Sequence, residues 1–328
     1  MHSRVESRGL AVLVPYLRMA RADHWFKNVF MLLGVALAFF WRPDLVHAGS
    51  LLRLLSALGA TCIVASSNYV LNEFLDAATD REHPFKHRRP AACGEVEGWA
   101  ALLLWGALGM GGILWAFEIN GPFGASAFLL WIMGCAYNIP PVRTKEIAFL
   151  DVLSESINNP IRLLLGWFAL VPDRLPPLSL ALAYWMVGAF FMAMKRFAEY
   201  RTIDDPARAA RYRRSFQRYD ENNLLASLVF YLTAGATFAG IFIVRYKPEL
   251  VLATPLVAGF FAHYMLVGLA PDSPVQHPER LHRERRLFAF ALLTTVACAA
   301  LLFLEMPLLR ELFHVQPSSI EPLWRIGS

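Results

Sequence analysis

The chain predicts an all-α, polytopic membrane protein, and three observations carry that prediction. Of its 328 residues 56% are hydrophobic and 17% are charged, and the mean hydropathy is +0.41, too apolar for a soluble domain of that length. Stretches of membrane-spanning or nearly spanning length recur from end to end. Lysine and arginine gather between them: the segment through Lys27 and residues 81–89, 143–145, 195–218 and 280–286 hold 23 of the 31. Loops so biased face the cytoplasm. The chain therefore reads as a multi-pass protein of the cell inner (plasma) membrane with its N-terminus cytoplasmic and its C-terminus outside.

Nine helices are expected, over roughly 27–41, 51–72, 98–117, 122–137, 149–170, 178–194, 223–244, 250–269 and 287–304, forming a single transmembrane domain over 1–328. The first is short, and no cleavable signal precedes it, since Arg4, Glu6, Arg8 and Arg18 interrupt the N-terminal segment. The second closes on an acidic then basic run. The fourth is also short, and the fifth carries a polar stripe. The sixth continues into residues 195–222, the longest polar insertion, which reads as an interfacial helix. The basic residues from Arg280 to Arg286 anchor the loop before the last span. Polar-faced spans with basic flanks recur in the 2–3 and 4–5 connections, a pattern that permits an internal repeat. Cys62, Cys93, Cys135 and Cys298 lie far apart, mostly in apolar surroundings, and read as packing residues. A net charge of +5 follows from membrane topology and implies no nucleic-acid partner.

Chemistry concentrates in residues 72–90. Asn72, Asp76 and Asp80 recur every four residues, and at about 100° per residue they share one helical face. They sit where a long apolar segment ends, and charge at a membrane helix marks a functional site. Arg81, His83, Lys86, His87, Arg88 and Arg89 follow at once. Acid followed by base suggests oxygen ligands for Mg²⁺ beside cations for phosphate. His83 reads as a loop residue. The plainer readings are a solvated helix end and a basic topology signal.

In the fifth span Asp151, Glu155, Asn158 and Arg162 project within about 60° of one another on a regular helix. Such a face must line a cavity or another polar helix, although a structural buried ion pair would also produce it. Pro160 should kink this span. Arg143 and Lys145 precede it, and Lys195, Arg196 and Glu199 close the sixth span as phosphate ligands or as an interfacial salt-bridge cluster.

These motifs resemble the UbiA superfamily of intramembrane prenyltransferases, whose first acidic motif lies at the end of the second helix. More narrowly, the chain is similar to the decaprenyl-phosphate phosphoribosyltransferase branch. The matching residues are Arg21, His24, Trp25, Lys27 and Asn28; the run from Asn72 to Pro90, with Glu73 in place of Asp; Lys145, Asp151 and Arg162; and Lys195, Arg196 and Glu199. The run Asp151-Val-Leu-Ser-Glu155 departs from the second acidic motif of the aromatic prenyltransferases. The resemblance implies a nine-helix UbiA-like bundle, an isoprenoid lipid substrate and a cytosolic, diphosphate-bearing co-substrate. It implies Asn72, Asp76, Asp80 and Asp151 as catalytic, with Mg²⁺ on the first three and Glu73, Asp151 and Glu155 as further possible ligands. Lys27, Arg81, Lys86, Arg89, Lys145, Arg162, Lys195 and Arg196 would bind substrate. The reaction expected is transfer of 5-phosphoribose from phosphoribosyl pyrophosphate to a polyprenyl phosphate. The alternatives are prenyl transfer from a prenyl diphosphate to a lipophilic acceptor, with Asp151 and Glu155 as a second Mg²⁺ site, and a transporter whose charges line a path.

Overall fold

Long apolar runs leave the backbone to satisfy its own hydrogen bonds, and helix is the local solution. The computed structural model describes residues 13–81, 86–203, 205–271, 273–276, 281, 284–313 and 323–326. Among them seven runs are long and apolar enough to cross a membrane. These are α1 (Leu13–Trp41), α2 (Ala48–Arg81), α3 (Gly98–Ile119), α7 (Leu178–Ile203), α9 (Glu221–Tyr246), α10 (Pro248–Leu269) and α11 (Arg285–Phe303). Between them lie α4 (Gly121–Asn138), α5 (Leu150–Ser156), α6 (Asn158–Phe168) and α8 (Pro206–Tyr212), and α12 (Pro307–Leu312) closes the series. The starts have local causes. Asn120 Oδ1 accepts the Phe123 N–H at 2.8 Å ahead of α4, and Asp220 with Asn223 forms a reciprocal capping box ahead of α9.

The chain divides into two compact units. The first comprises Met1–Thr144 and Ile161–Pro172. Close helix approach organises it: a Cβ built on Gly34 would run into the Leu163 carbonyl, and one on Gly166 into the Met31 carbonyl, so α1 and α6 cross at backbone contact. Asn68 Nδ2 donates to the Leu130 carbonyl at 3.0 Å, and Asn120 Nδ2 to the Phe168 carbonyl at 2.8 Å. Met19 packs with Val70, Ala91 and Ala101, which seats the start of α1 on α2 and on the helical turn Pro90–Cys93.

The second unit comprises Lys145–Pro160 and Asp173–Ser328. Its core gathers Phe190, Ala193, Met194 and Phe197 of α7 against Leu224, Leu228 and Tyr231 of α9. Outward faces stay apolar: Val229, Phe230, Ile241 and Val244 of α9 and Leu292, Leu293 and Val296 of α11 are exposed. Water would penalise such faces, whereas lipid does not.

The expected count of nine continuous helices does not hold. The first span is longer than expected because residues on its N-terminal side join it through a left-handed Arg21, φ 51°, and a 3₁₀ stretch over Ala22–Met31. The second runs on through Asp76 and Asp80. The fifth is broken: α5 ends at Ser156 and α6 begins at Asn158. Pro160 accounts for this, since it has no N–H for the Ser156 carbonyl and its ring crowds that carbonyl. Residues 195–222 are mixed, because α7 carries them to Ile203 and only the short α8 and a 3₁₀ turn, Arg214–Arg218, follow. His83, Arg280 and Arg283 lie outside the described residues.

Candidate active site

At about 1.5 Å per residue, positions 48–71 of α2 already extend about 36 Å, more than the roughly 30 Å hydrocarbon layer. The turns carrying Asn72, Asp76 and Asp80 therefore emerge at the membrane edge, which removes most of the cost of their charge. The three share one face, as their spacing predicts, and three different segments hold them. Asn72 Nδ2 donates to Asn138 Oδ1 at 2.6 Å, Arg143 Nη2 donates to Asp76 Oδ1 at 3.0 Å, and Arg89 Nη1 donates to Asp80 Oδ2 at 2.5 Å. Glu73 is buried and accepts the Ala91 N–H at a long 3.4 Å. Arg81 turns away, its Nε donating to the Ala92 carbonyl at 3.1 Å. A guanidinium tied to a backbone carbonyl near a helix end acts as a cap.

Beside these carboxylates the first unit holds a cavity of about 510 Å³ lined by Arg18, Arg21, Asp23, Glu73, Lys86, Arg88, Arg89 and Pro90. Lys86 and Arg89 were expected there from the sequence. Arg88 belongs to the same basic run, Arg21 to the family motif, and Arg18 has no site signal in the sequence. Their place comes from the packing of Met19, which brings the start of α1 against Ala91. Lys27, half-buried on the 3₁₀ stretch, and Arg162 do not line it. Arg162 is buried and donates through Nε to Asn28 Oδ1 at 3.0 Å, while Asn28 Nδ2 reaches Cys62 Sγ at 3.1 Å.

In the second unit Asp151 is fully buried and both its oxygens are occupied. Oδ1 accepts the Tyr219 hydroxyl at 2.7 Å; Oδ2 accepts Arg196 Nε at 3.1 Å and the Ser215 hydroxyl at 3.2 Å. Arg213 Nε stands 3.6 Å from the same oxygen. Arg196, 2% exposed, extends its other nitrogens to Glu155 at 2.8 Å and Glu199 at 3.1 Å. Lys195 lies 3.9 Å from Glu199, and Lys145 is buried in the turn Thr144–Glu146. Tyr219 also accepts the Phe149 N–H at 2.7 Å. Burial, reinforced by Asp151, pushes the Tyr219 phenol well above its ordinary pKa, so it is a fixed donor.

Asp151 and Arg196 are bonded to one another and to neighbouring side chains. The stripe Asp151, Glu155, Asn158, Arg162 is also divided by the break before Asn158: Asp151 and Glu155 meet Arg196, Asn158 Nδ2 caps the Glu155 carbonyl at 3.0 Å, and Arg162 meets Asn28. Sequence reading missed Ser215 and Tyr219, which lie more than sixty positions from Asp151 in a segment read as an interfacial helix.

Among the described residues no three His, Cys, Asp or Glu side chains converge as a metal cage. Mg²⁺ seldom uses one; it takes one or two carboxylates and completes its shell with water and substrate phosphate. The hard oxygens of Asn72, Asp76 and Asp80, on one face at the membrane edge, fit that mode. Asp151 already accepts from guanidinium and hydroxyl donors at both oxygens, and Glu155 accepts from Arg196 at one.

Comparison with known proteins identifies the family. Two curated relatives are called decaprenyl-phosphate phosphoribosyltransferase. The one from Mycolicibacterium smegmatis is 26% identical over 211 residues, 63% of each chain; the one from Mycobacterium tuberculosis is 28% identical over 211 residues, 63% of this chain and 67% of its own. The match thus spans just under two thirds of the first relative. The structure of a UbiA homolog from Archaeoglobus fulgidus bound to GPP and Mg²⁺ superposes with a TM-score of 0.65 at 18% identity, over 88% of this chain and 98% of that one, a likeness of fold. The model of the UbiA prenyltransferase family matches residues 28–281, and the chain belongs to this family of membrane-bound transferases.

Proposed function

We propose that the protein transfers 5-phosphoribose from phosphoribosyl pyrophosphate to a polyprenyl phosphate, with release of pyrophosphate. The observation that carries the reading is the number of cations around the end of α2: Arg18, Arg21, Lys86, Arg88 and Arg89 line one cavity, and Arg143 lies on Asp76. A prenyl diphosphate has a single anionic end, whereas this reaction assembles a pyrophosphate, a sugar phosphate and a lipid phosphate. The names of the mycobacterial relatives support the same choice.

The acceptor phosphate is already an anion, so no general base is needed. Its oxygen bonds to the anomeric carbon as the bond from that carbon to pyrophosphate breaks, and the pyrophosphate leaves with the electron pair. Asn72, Asp76 and Asp80 would hold Mg²⁺, which when bound supplies charge neutralisation to the leaving group. Arg143 and Arg89 fix the orientation of the two aspartates and add positive charge beside the departing phosphates. Arg162, held by Asn28, supplies a buried guanidinium in the same unit. The distribution of lysine and arginine supports a cytoplasmic position for the end of α2, where a water-soluble donor is available.

The test is a transfer assay on purified protein in lipid, with labelled phosphoribosyl pyrophosphate and polyprenyl phosphate in one arm and labelled geranyl diphosphate with an aromatic acceptor in the other. A Mg²⁺-dependent ribosylated lipid is the expected product. Product in the second arm alone would replace the reading with prenyl transfer, and product in neither, with Asp76→Asn indistinguishable from the unmodified chain, would favour transport.

A further inference from the structure

The cavity beside Asp80 differs from a lipid site in composition. Seven of its eight lining residues are ionisable, and Pro90 is the sole apolar one. A prenyl chain requires a long apolar wall, which this lining does not offer. Five cations against Asp23, Glu73 and the Asp80 that Arg89 pairs with leave an excess of about two positive charges, enough for a phosphate monoester, which carries about −1.5 to −2 near neutral pH. No ion pair or side-chain hydrogen bond joins Arg18, Arg21 or Arg88 to another described residue. Arg21 feels the carboxylates of Glu73 and Asp23 without bonding to them, in contrast to Arg196, which three carboxylates contact directly. Arg89 alone belongs to both regions, since it lines the cavity and donates to Asp80.

From this we infer that the cavity is a separate subsite for a water-soluble phosphate monoester, the 5-phosphate of the ribosyl donor, with Arg18, Arg21 and Arg88 as its specificity-determining residues. The inference rests on the phosphoribosyl reading and refines it. The donor is gripped at two ends: Asn72, Asp76 and Asp80 serve the pyrophosphate end, the cavity serves the other, and Arg89 links the two. A donor with one anionic end would leave the cavity's cations unneutralised, so the cavity discriminates against prenyl diphosphates.

The experiment uses the full chain in detergent with EDTA, so that binding is read without metal. Titration calorimetry with ribose 5-phosphate should show saturable binding displaced by inorganic phosphate. Arg18→Gln and Arg88→Gln should each weaken it about tenfold, and Arg88→Lys should recover part of the loss. Both positions are exposed, so folding should be unaffected, with elution volume and melting temperature as controls. Equal affinity in the variants and the unmodified chain would overturn the subsite, as would binding of geranyl diphosphate, but not ribose 5-phosphate, that is lost in the same variants. Turnover separates this from the broader reading. If the unmodified chain uses phosphoribosyl pyrophosphate and both variants keep its KM, the subsite is refuted while the reaction stands; a rise in KM of about tenfold at similar kcat supports it.

Discussion

Asp151→Asn tests whether the second acidic pair holds structure or metal. The substitution keeps size and shape. If the amide oxygen stays opposite Tyr219, its Nδ2 then faces Arg196 Nε, donor against donor, where the carboxylate accepted at 3.1 Å, while the Ser215 hydroxyl can rotate to accept from it. One charge-assisted hydrogen bond is lost, about 1.5–3 kcal/mol, and a buried guanidinium donor is left unsatisfied, about 1–3 kcal/mol more. Because Glu155 and Glu199 still neutralise Arg196, the total should be about 3–5 kcal/mol, the range for a broken buried pair. For a unit of this size each kcal/mol moves the midpoint by roughly 2–4 °C, so the variant should melt on the order of 10 °C lower at a fixed scan rate in one detergent. Glu155→Gln, whose side chain is 34% exposed, should cost about 1 kcal/mol or less, because solvent screens that arm. The Mg²⁺ concentration giving half-maximal turnover should not change in either. A variant that melts with the unmodified protein but needs tenfold more Mg²⁺ would show that Asp151 ligates metal and would refute the argument.

Asp76→Asn should lower Mg²⁺-dependent turnover by about 10²–10³ with little effect on melting, since Arg143 retains an oxygen acceptor; equal losses of fold and activity would count against a metal role. The phenol of Tyr219 has its pKa raised on folding, so its stabilising contribution is complete below the unfolded value of about 10 and is lost as pH rises above that toward the folded value. Melting temperature should therefore drop above about pH 10, and Tyr219→Phe should flatten that limb while lowering the plateau, as read by melts combined with tyrosinate absorbance. Gly166→Ala should cost about 1–3 kcal/mol or block folding, because its Cβ meets the Met31 carbonyl. Gly111→Ala, with nothing within 4 Å of its Cβ, should be neutral or slightly stabilising.

The sequence made legible what is periodic and local. The face shared by Asn72, Asp76 and Asp80 follows from four-residue spacing, and Lys86 and Arg89 from their nearness to it. Pairings across the fold were not legible: Arg143 finds Asp76 across 67 positions and Tyr219 finds Asp151 across 68, and neither separation leaves a period to read. The stripe in the fifth span fails for a different reason. Projecting Asp151 and Arg162 onto one face assumes an unbroken helix, yet Pro160 lies between them. That proline was noted as a source of a kink, but its effect is larger, because the chain passes from one unit to the other between Pro160 and Ile161.

Charge balance explains why the two acidic motifs have come to differ. In the second unit Asp151, Glu155 and Glu199 face Arg196, Arg213 and Lys195, three negative groups against three positive, so neither a metal ion nor a phosphate gains from approaching. The low-dielectric surroundings of Asp151 and Arg196 strengthen their mutual attraction but make any unpaired charge costly; such a cluster is suited to holding α5, α7 and the 3₁₀ turn Arg214–Arg218 in one geometry. At the end of α2 each aspartate already has a guanidinium, Arg143 on Asp76 and Arg89 on Asp80, and the adjoining cavity adds the cations Arg18, Arg21, Lys86 and Arg88. A divalent ion on the aspartates adds to that positive surplus and a polyanion offsets it, so the two should favour one another. Mg²⁺ and a phosphorylated donor should accordingly bind with positive coupling, each lowering the dissociation constant of the other by the same factor. Independent binding of the two would show that the carboxylate face and the cavity do not serve one substrate.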